Sequence, residues 1–139
     1  MLTPFFAQAL DVAALLVSAL LFGGMTLFSF AFAAFLFTAL PVADARTLIR
    51  RAFPHFYLFV IGTAAIGAAL VWARDPWSCA LLALVAISTV PTRQWLMHAI
   101  NAATDAGQRR RFVQLHGLSV VITLLHIALT GVVLARFIR

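Results

Sequence analysis

Between Asp11 and Asp44 the chain runs for 32 residues, Val12 to Ala43, without a charge. A helix crosses the hydrocarbon core of a bilayer in about 20 residues at about 1.5 Å of rise each. This run exceeds one span, so it must tilt, protrude or break, and Gly23-Gly24 is the soft point. Three more apolar segments follow, and the whole chain is 64% hydrophobic and 10% charged. Soluble domains carry about 25% charged residues. These values exclude a water-soluble globule, a disordered chain, a collagen, a disulfide scaffold and a coiled coil. The expected fold class is all-α: an integral membrane four-helix bundle, one domain over residues 1–139, with spans near 12–40, 54–73, 76–98 and 113–135.

Local signals place the boundaries. Pro41 ends the first run, and Ala43-Asp44-Ala45 imitates a signal cleavage site. The apolar run is far longer than the 7–15 residues of a secretory signal, and no arginine or lysine precedes it, so the reading is a retained span. Pro54 suits the first turn of the second span, where a missing amide donor costs nothing. Asp75 is placed to cap the third, with Pro76 in its first turn. Pro91 bends or loosens that helix, and a polar extension carries on to about Asp105. The short Trp72–Trp77 connection makes spans two and three a tight antiparallel hairpin.

All ten basic residues are arginine, and the net charge is +6. They lie in short segments between apolar runs, which reads as orientation rather than nucleic-acid binding. The connections after spans one and three hold Arg46, Arg50, Arg51, Arg93, Arg109, Arg110 and Arg111, whereas the other side holds Arg74, Arg136 and Arg139. Arginine-rich short loops stay in the cytoplasm. The expected topology is therefore N-out/C-out in a bacterial inner membrane, with Trp72 and Trp77 in the outer aromatic belt. Ala45, Leu48, Ile49, Ala52 and Phe53 recur at helical spacing opposite Arg46, Thr47, Arg50 and Arg51. That pattern predicts a short amphipathic interfacial helix between spans one and two, started by Asp44, with Arg46, Arg50 and Arg51 on lipid headgroups.

Two polar stripes carry the chemistry the chain has. On span four, His116, Ser119, Thr123, His126 and Thr130 fall within an arc of about 80° at 100° per residue. On the extension of span three, Gln94, His98, Asn101 and Asp105 share an arc of about 60°. Polar stripes face the bundle rather than lipid. Antiparallel packing then brings His98 and His116 together near the inner surface, with His55 at the same depth and Asp105 bonded to an imidazole or to Arg109–Arg111. The candidate polar site is His55, His98, Asn101, Asp105, His116, Ser119 and His126. Three uses stand open. Inward histidines and hydroxyls bond helix to helix, with no cofactor. Two facing imidazoles hold haem b. A metal sits on His98 and His116, with His55 and Asp105 completing the set, as in a metal or drug resistance exporter component. Gly23, Gly24, Pro54, Pro91 and Gly117 are the expected packing positions. The phenylalanines of span one lie on several faces, as lipid contact requires. Cys79 is a lone thiol and reads as a small apolar residue. No phosphate loop, Gly-x-Ser-x-Gly or Cys-x-x-Cys occurs, so enzymatic chemistry finds no support.

Several segments resemble the transmembrane protein 205-like family. They are Phe35-Leu36-Phe37-Thr38-Ala39-Leu40-Pro41 with Ala52-Phe53-Pro54-His55-Phe56-Tyr57, then Pro91-Thr92-Arg93, Ile100-Asn101 and Asp105-Ala106-Gly107, and lastly Arg111-Phe112 with Leu115-His116-Gly117-Leu118-Ser119. Gly23-Gly24 matches the family's glycine pair. The likeness implies a four-span helical membrane protein and no particular reaction. It implies family roles for Gly23, Gly24, Pro54, Asn101, Asp105, His116 and Ser119. Thr123 stands where members often have asparagine, and leucines with Phe22 stand where they have tryptophan. The expected function is a small, non-enzymatic multi-pass protein whose partner is the lipid bilayer, with a homodimer as an open alternative.

Overall fold

The computed structural model describes residues 3–138. Four long helices account for nearly all of them: α1 Pro4–Ala39, α2 Val42–Val71, α3 Pro76–Asp105 and α4 Arg109–Arg136. No strand occurs among the described residues. All four are long and apolar enough to cross a membrane, and the fold is an all-α four-helix membrane bundle. At about 1.5 Å per residue every helix exceeds the roughly 30 Å of a hydrocarbon core, so helix ends project beyond it.

Each helix packs on its two neighbours in a ring: α1 on α2 and α4, and α3 on α2 and α4. One end of the ring carries the α1–α2 and α3–α4 links with seven arginines and is called the arginine-rich end. The other carries the α2–α3 link. The core between them is built from Leu21 and Met25 of α1, Val60 and Ala64 of α2, Leu82 and Val85 of α3, and Val133 of α4. Gly24 allows α1 to meet α2 closely, because a Cβ there would stand 2.6 Å from the Phe59 ring. Nothing lies within 4 Å of a Cβ built at Gly23 or Gly117, so these two glycines are not packing contacts. Gly23 is exposed beside its buried-side neighbour, and Gly117 lies on the exposed face of α4.

Three local expectations are corrected. The interfacial helix is not a separate element: Val42 to Val71 form one helix, and Pro54 sits inside it rather than in its first turn. A proline removes one amide donor, which neighbouring helices can compensate in a bundle. Here the helix before Pro54 is held by tertiary contacts, with Ala45 fully buried and Arg50 ion-paired to α3. Asp44 lies within the first turn of α2, with Pro41 at its N-cap. Second, α1 does not break at its glycine pair. Its irregularity is a π-helical stretch one turn later, Leu27–Phe32. Third, Phe28 in that stretch turns inward and stacks on Phe56 at 4.2 Å, with Phe53 edge-on at 5.4 Å.

The ends of α3 follow their sequence signals. Asp75 caps it, accepting from the Ser78 amide at 3.2 Å and the Ser78 hydroxyl at 2.6 Å. After Pro91 the helix widens into a π-helical turn, Thr92–Leu96, and then resumes to Asp105. Gly107, with φ of 64°, reverses the chain into α4. The Gln108 amide reaches back to the Ala103 carbonyl at 2.9 Å, the long bond of a glycine-terminated helix end.

Candidate functional site

The polar groups that enter the bundle gather at mid-height, not at its arginine-rich end. His126 is 6% exposed and faces α3. Its Nε2 lies 2.8 Å from the Ser88 hydroxyl. That hydroxyl donates its own proton to the Leu84 carbonyl at 2.6 Å. With that proton on the Leu84 carbonyl, the Ser88 oxygen is free to accept from the Nε2–H tautomer of the imidazole. About two turns nearer the arginine-rich end, the Tyr57 and Ser119 hydroxyls lie 3.4 Å apart, joining α2 to α4. A cavity of about 10 Å³ lies between these two contacts. All four helices line it, through Met25, Tyr57, Thr89, Thr92, Thr123 and His126. Its volume suits one water molecule.

Most hydroxyls in this seam are satisfied by their own helix. Thr89, Thr92, Thr123 and Thr130 each donate to the carbonyl four residues back, at 2.7, 2.9, 3.0 and 2.8 Å. Such back-bonding removes the desolvation cost of a buried hydroxyl without linking helices. The seam thus has two cross-helix side-chain bonds, Ser88–His126 and Tyr57–Ser119. Neither Tyr57 nor Ser88 was singled out in the sequence. A signal for Tyr57 was present: Phe56, Tyr57, Val60 and Ala64 recur at core spacing, and a buried phenol needs a partner.

The other sequence candidates do not converge. His55, His98 and His116 are all exposed. His55 bonds through Nδ1 to the Arg51 carbonyl of its own helix at 3.1 Å. His116 stacks on Phe112, with ring centroids 5.3 Å apart. His116 and His126 are the two extremes of the span-four arc, which explains why one is outside and the other inside. On α3 the buried face runs through Val85, Thr89, Thr92 and Ala103, and at 100° per residue His98 is half a turn away from Thr89. That stretch continues past Pro91 toward a helix end that projects beyond the hydrocarbon, where a polar face can turn to water. Asn101 is half-buried. Asp105 bonds neither an imidazole nor the Arg109–Arg111 triplet; Arg50 grips it with two bonds of 2.8 and 3.2 Å. Arg50 is therefore committed to α3 rather than to a headgroup, while Arg46 and Arg51 are exposed. No group of three or more His, Cys, Asp or Glu side chains able to hold a metal occurs among the described residues.

The opposite end is closed by charge. Arg74 pairs with Asp11 and also donates to the Ala7 carbonyl at 3.2 Å. Arg136 forks onto Asp75 with two bonds of 2.8 Å. The α2–α3 link thereby clasps both α1 and α4. Hydrogen bonding from Arg136, supported by Ser78, holds the Asp75 carboxyl well below the usual carboxylate range.

The model of the family DUF4149, a domain of unknown function, matches residues 16–109, well over half of the chain. The chain belongs to the DUF4149 family. The matched segment holds most of α1, all of α2 and all of α3, and stops where α4 begins. Tyr57 and Ser88 lie within the DUF4149 segment, and Ser119 and His126 beyond it. Each cross-helix bond of the polar seam thus joins the DUF4149 match to α4. Comparison with curated proteins and with solved structures gave no match.

Proposed function

We propose that this small multi-pass membrane protein is non-enzymatic and acts in a bacterial inner membrane, N-out/C-out, with its polar seam locking α4 onto α2 and α3. The observation carrying this reading is that one imidazole enters the bundle, and its Nε2 is already bonded to Ser88. Arginine placement supports the orientation, and the segment likenesses noted above support a relation to the transmembrane protein 205-like family. The polar site of this reading is centred on Ser119 and His126, with Tyr57 and Ser88 as partners.

The test is an absorption spectrum and metal analysis of the full chain, purified in detergent after expression with haem and metal supplied. The expected preparation is colourless and holds no stoichiometric metal. A Soret band that disappears in a His126→Ala variant overturns the reading in favour of haem b shared between copies. A stoichiometric metal overturns it in favour of metal handling.

A further inference from the structure

We infer that an open groove on α4 near the arginine-rich end is a binding site for the phosphate of an anionic phospholipid. Gln108, Arg109, Arg110, Arg111, Gln114 and Leu115 line the groove, which has a volume of about 660 Å³. No carboxylate lines it. The chain has four acidic residues, and three are taken elsewhere: Asp11 by Arg74, Asp75 by Arg136 and Asp105 by Arg50. The fourth, Asp44, lies in the first turn of α2. Three guanidiniums therefore line one shallow, open surface, and among the described residues no carboxylate meets it. Their planar donor forks match phosphate oxygens in pairs, and the amides of Gln108 and Gln114 add neutral donors.

The surface beyond the groove selects a lipid over free phosphate. Residues three and four apart lie on one helix face, so Arg111, Leu115, Leu118 and Leu125 form a row along α4. Leu118 is 51% exposed and Leu125 57% exposed. The row passes from guanidinium to bare aliphatic side chains in the direction an acyl chain takes from its headgroup. Arg46 and Arg51 are exposed on the same end, but they do not line this groove, which makes them the control.

The experiment uses the full chain in neutral detergent. Binding of phosphatidylglycerol, phosphatidylcholine and inorganic phosphate is measured by native mass spectrometry and by the shift in unfolding midpoint. Phosphatidylglycerol is expected to bind and to raise the midpoint, with phosphatidylcholine and inorganic phosphate giving little of either. R109Q/R110Q/R111Q should weaken phosphatidylglycerol binding by about a hundredfold, at about 1 kcal/mol or about fivefold per arginine. R109K/R110K/R111K keeps the charge that governs insertion and loses only the forks, so it should weaken binding by a smaller factor. R46Q/R51Q should leave binding within about twofold. Equal losses in the control and the triple variants overturn the site in favour of diffuse surface charge. Unchanged binding in both triple variants overturns it outright, and a shift of equal size with inorganic phosphate overturns its assignment to a lipid.

Discussion

Replacing Ser88 by alanine removes the hydrogen-bond partner of His126 inside the bundle. An unsatisfied buried donor costs about 1–3 kcal/mol in soluble proteins. Side-chain hydrogen bonds between helices in a membrane average about 0.6 kcal/mol with a maximum near 1.7, because the unfolded helices find partners too. The cavity beside the ring has room for about one water, which limits the loss further. The expected cost of Ser88→Ala is therefore about 1 kcal/mol, about a fivefold fall in the folded-to-unfolded ratio. Ser88 otherwise bonds only to carbonyls of its own helix. With His126 replaced by leucine, the same serine substitution should thus be nearly neutral. A double-mutant cycle isolates this difference. Unfolding of the four proteins in mixed micelles with rising dodecyl sulfate, followed by tryptophan fluorescence, gives the four stabilities. The reasoning fails if Ser88→Ala costs the same in both backgrounds, because the imidazole and hydroxyl are then not partners.

Two further outcomes follow from the ends of the helices. Gly107→Ala places a side chain at φ of 64° and should cost about 1 kcal/mol by the same unfolding assay, although a Cβ there meets no atom within 4 Å. Asp75 has a folded pKa depressed from an unfolded value of about 3.9, so its contribution is complete above that pH and is lost as pH falls through the lower folded value. Wild type should lose unfolding midpoint between about pH 5 and pH 3 more steeply than Asp75→Asn, and parallel profiles refute the assignment.

The architecture was legible because charge-free runs of span length admit few alternatives. The Asp75-Pro76 start of α3 and the Asp105-Ala106-Gly107 end were equally readable, since each rests on chemistry within a few residues. Pro54 misled because its local preference for a first turn was outweighed by packing of the preceding turns, which only the neighbouring helices reveal. The sequence shows the period of the span-four stripe, yet period alone does not say which edge of an arc of about 80° touches a neighbour. The cost of polar groups in lipid argues for an inward α3 stripe. That argument weakens where a helix leaves the hydrocarbon, and there Ala103 faces in while His98 faces out. The Ser88–His126 pair depends on the relative axial position of two helices, information no single helix carries.

The links between the four helices have two, four and three residues. Such tight joints offer a protease no slack segment to draw into its active site, and they leave little room for an inserted tag or reporter. Cleavage at these links then requires that a helix first be pulled from its neighbours. The rate of cutting there should accordingly follow the strength of the helix contacts, not the accessibility of the surface.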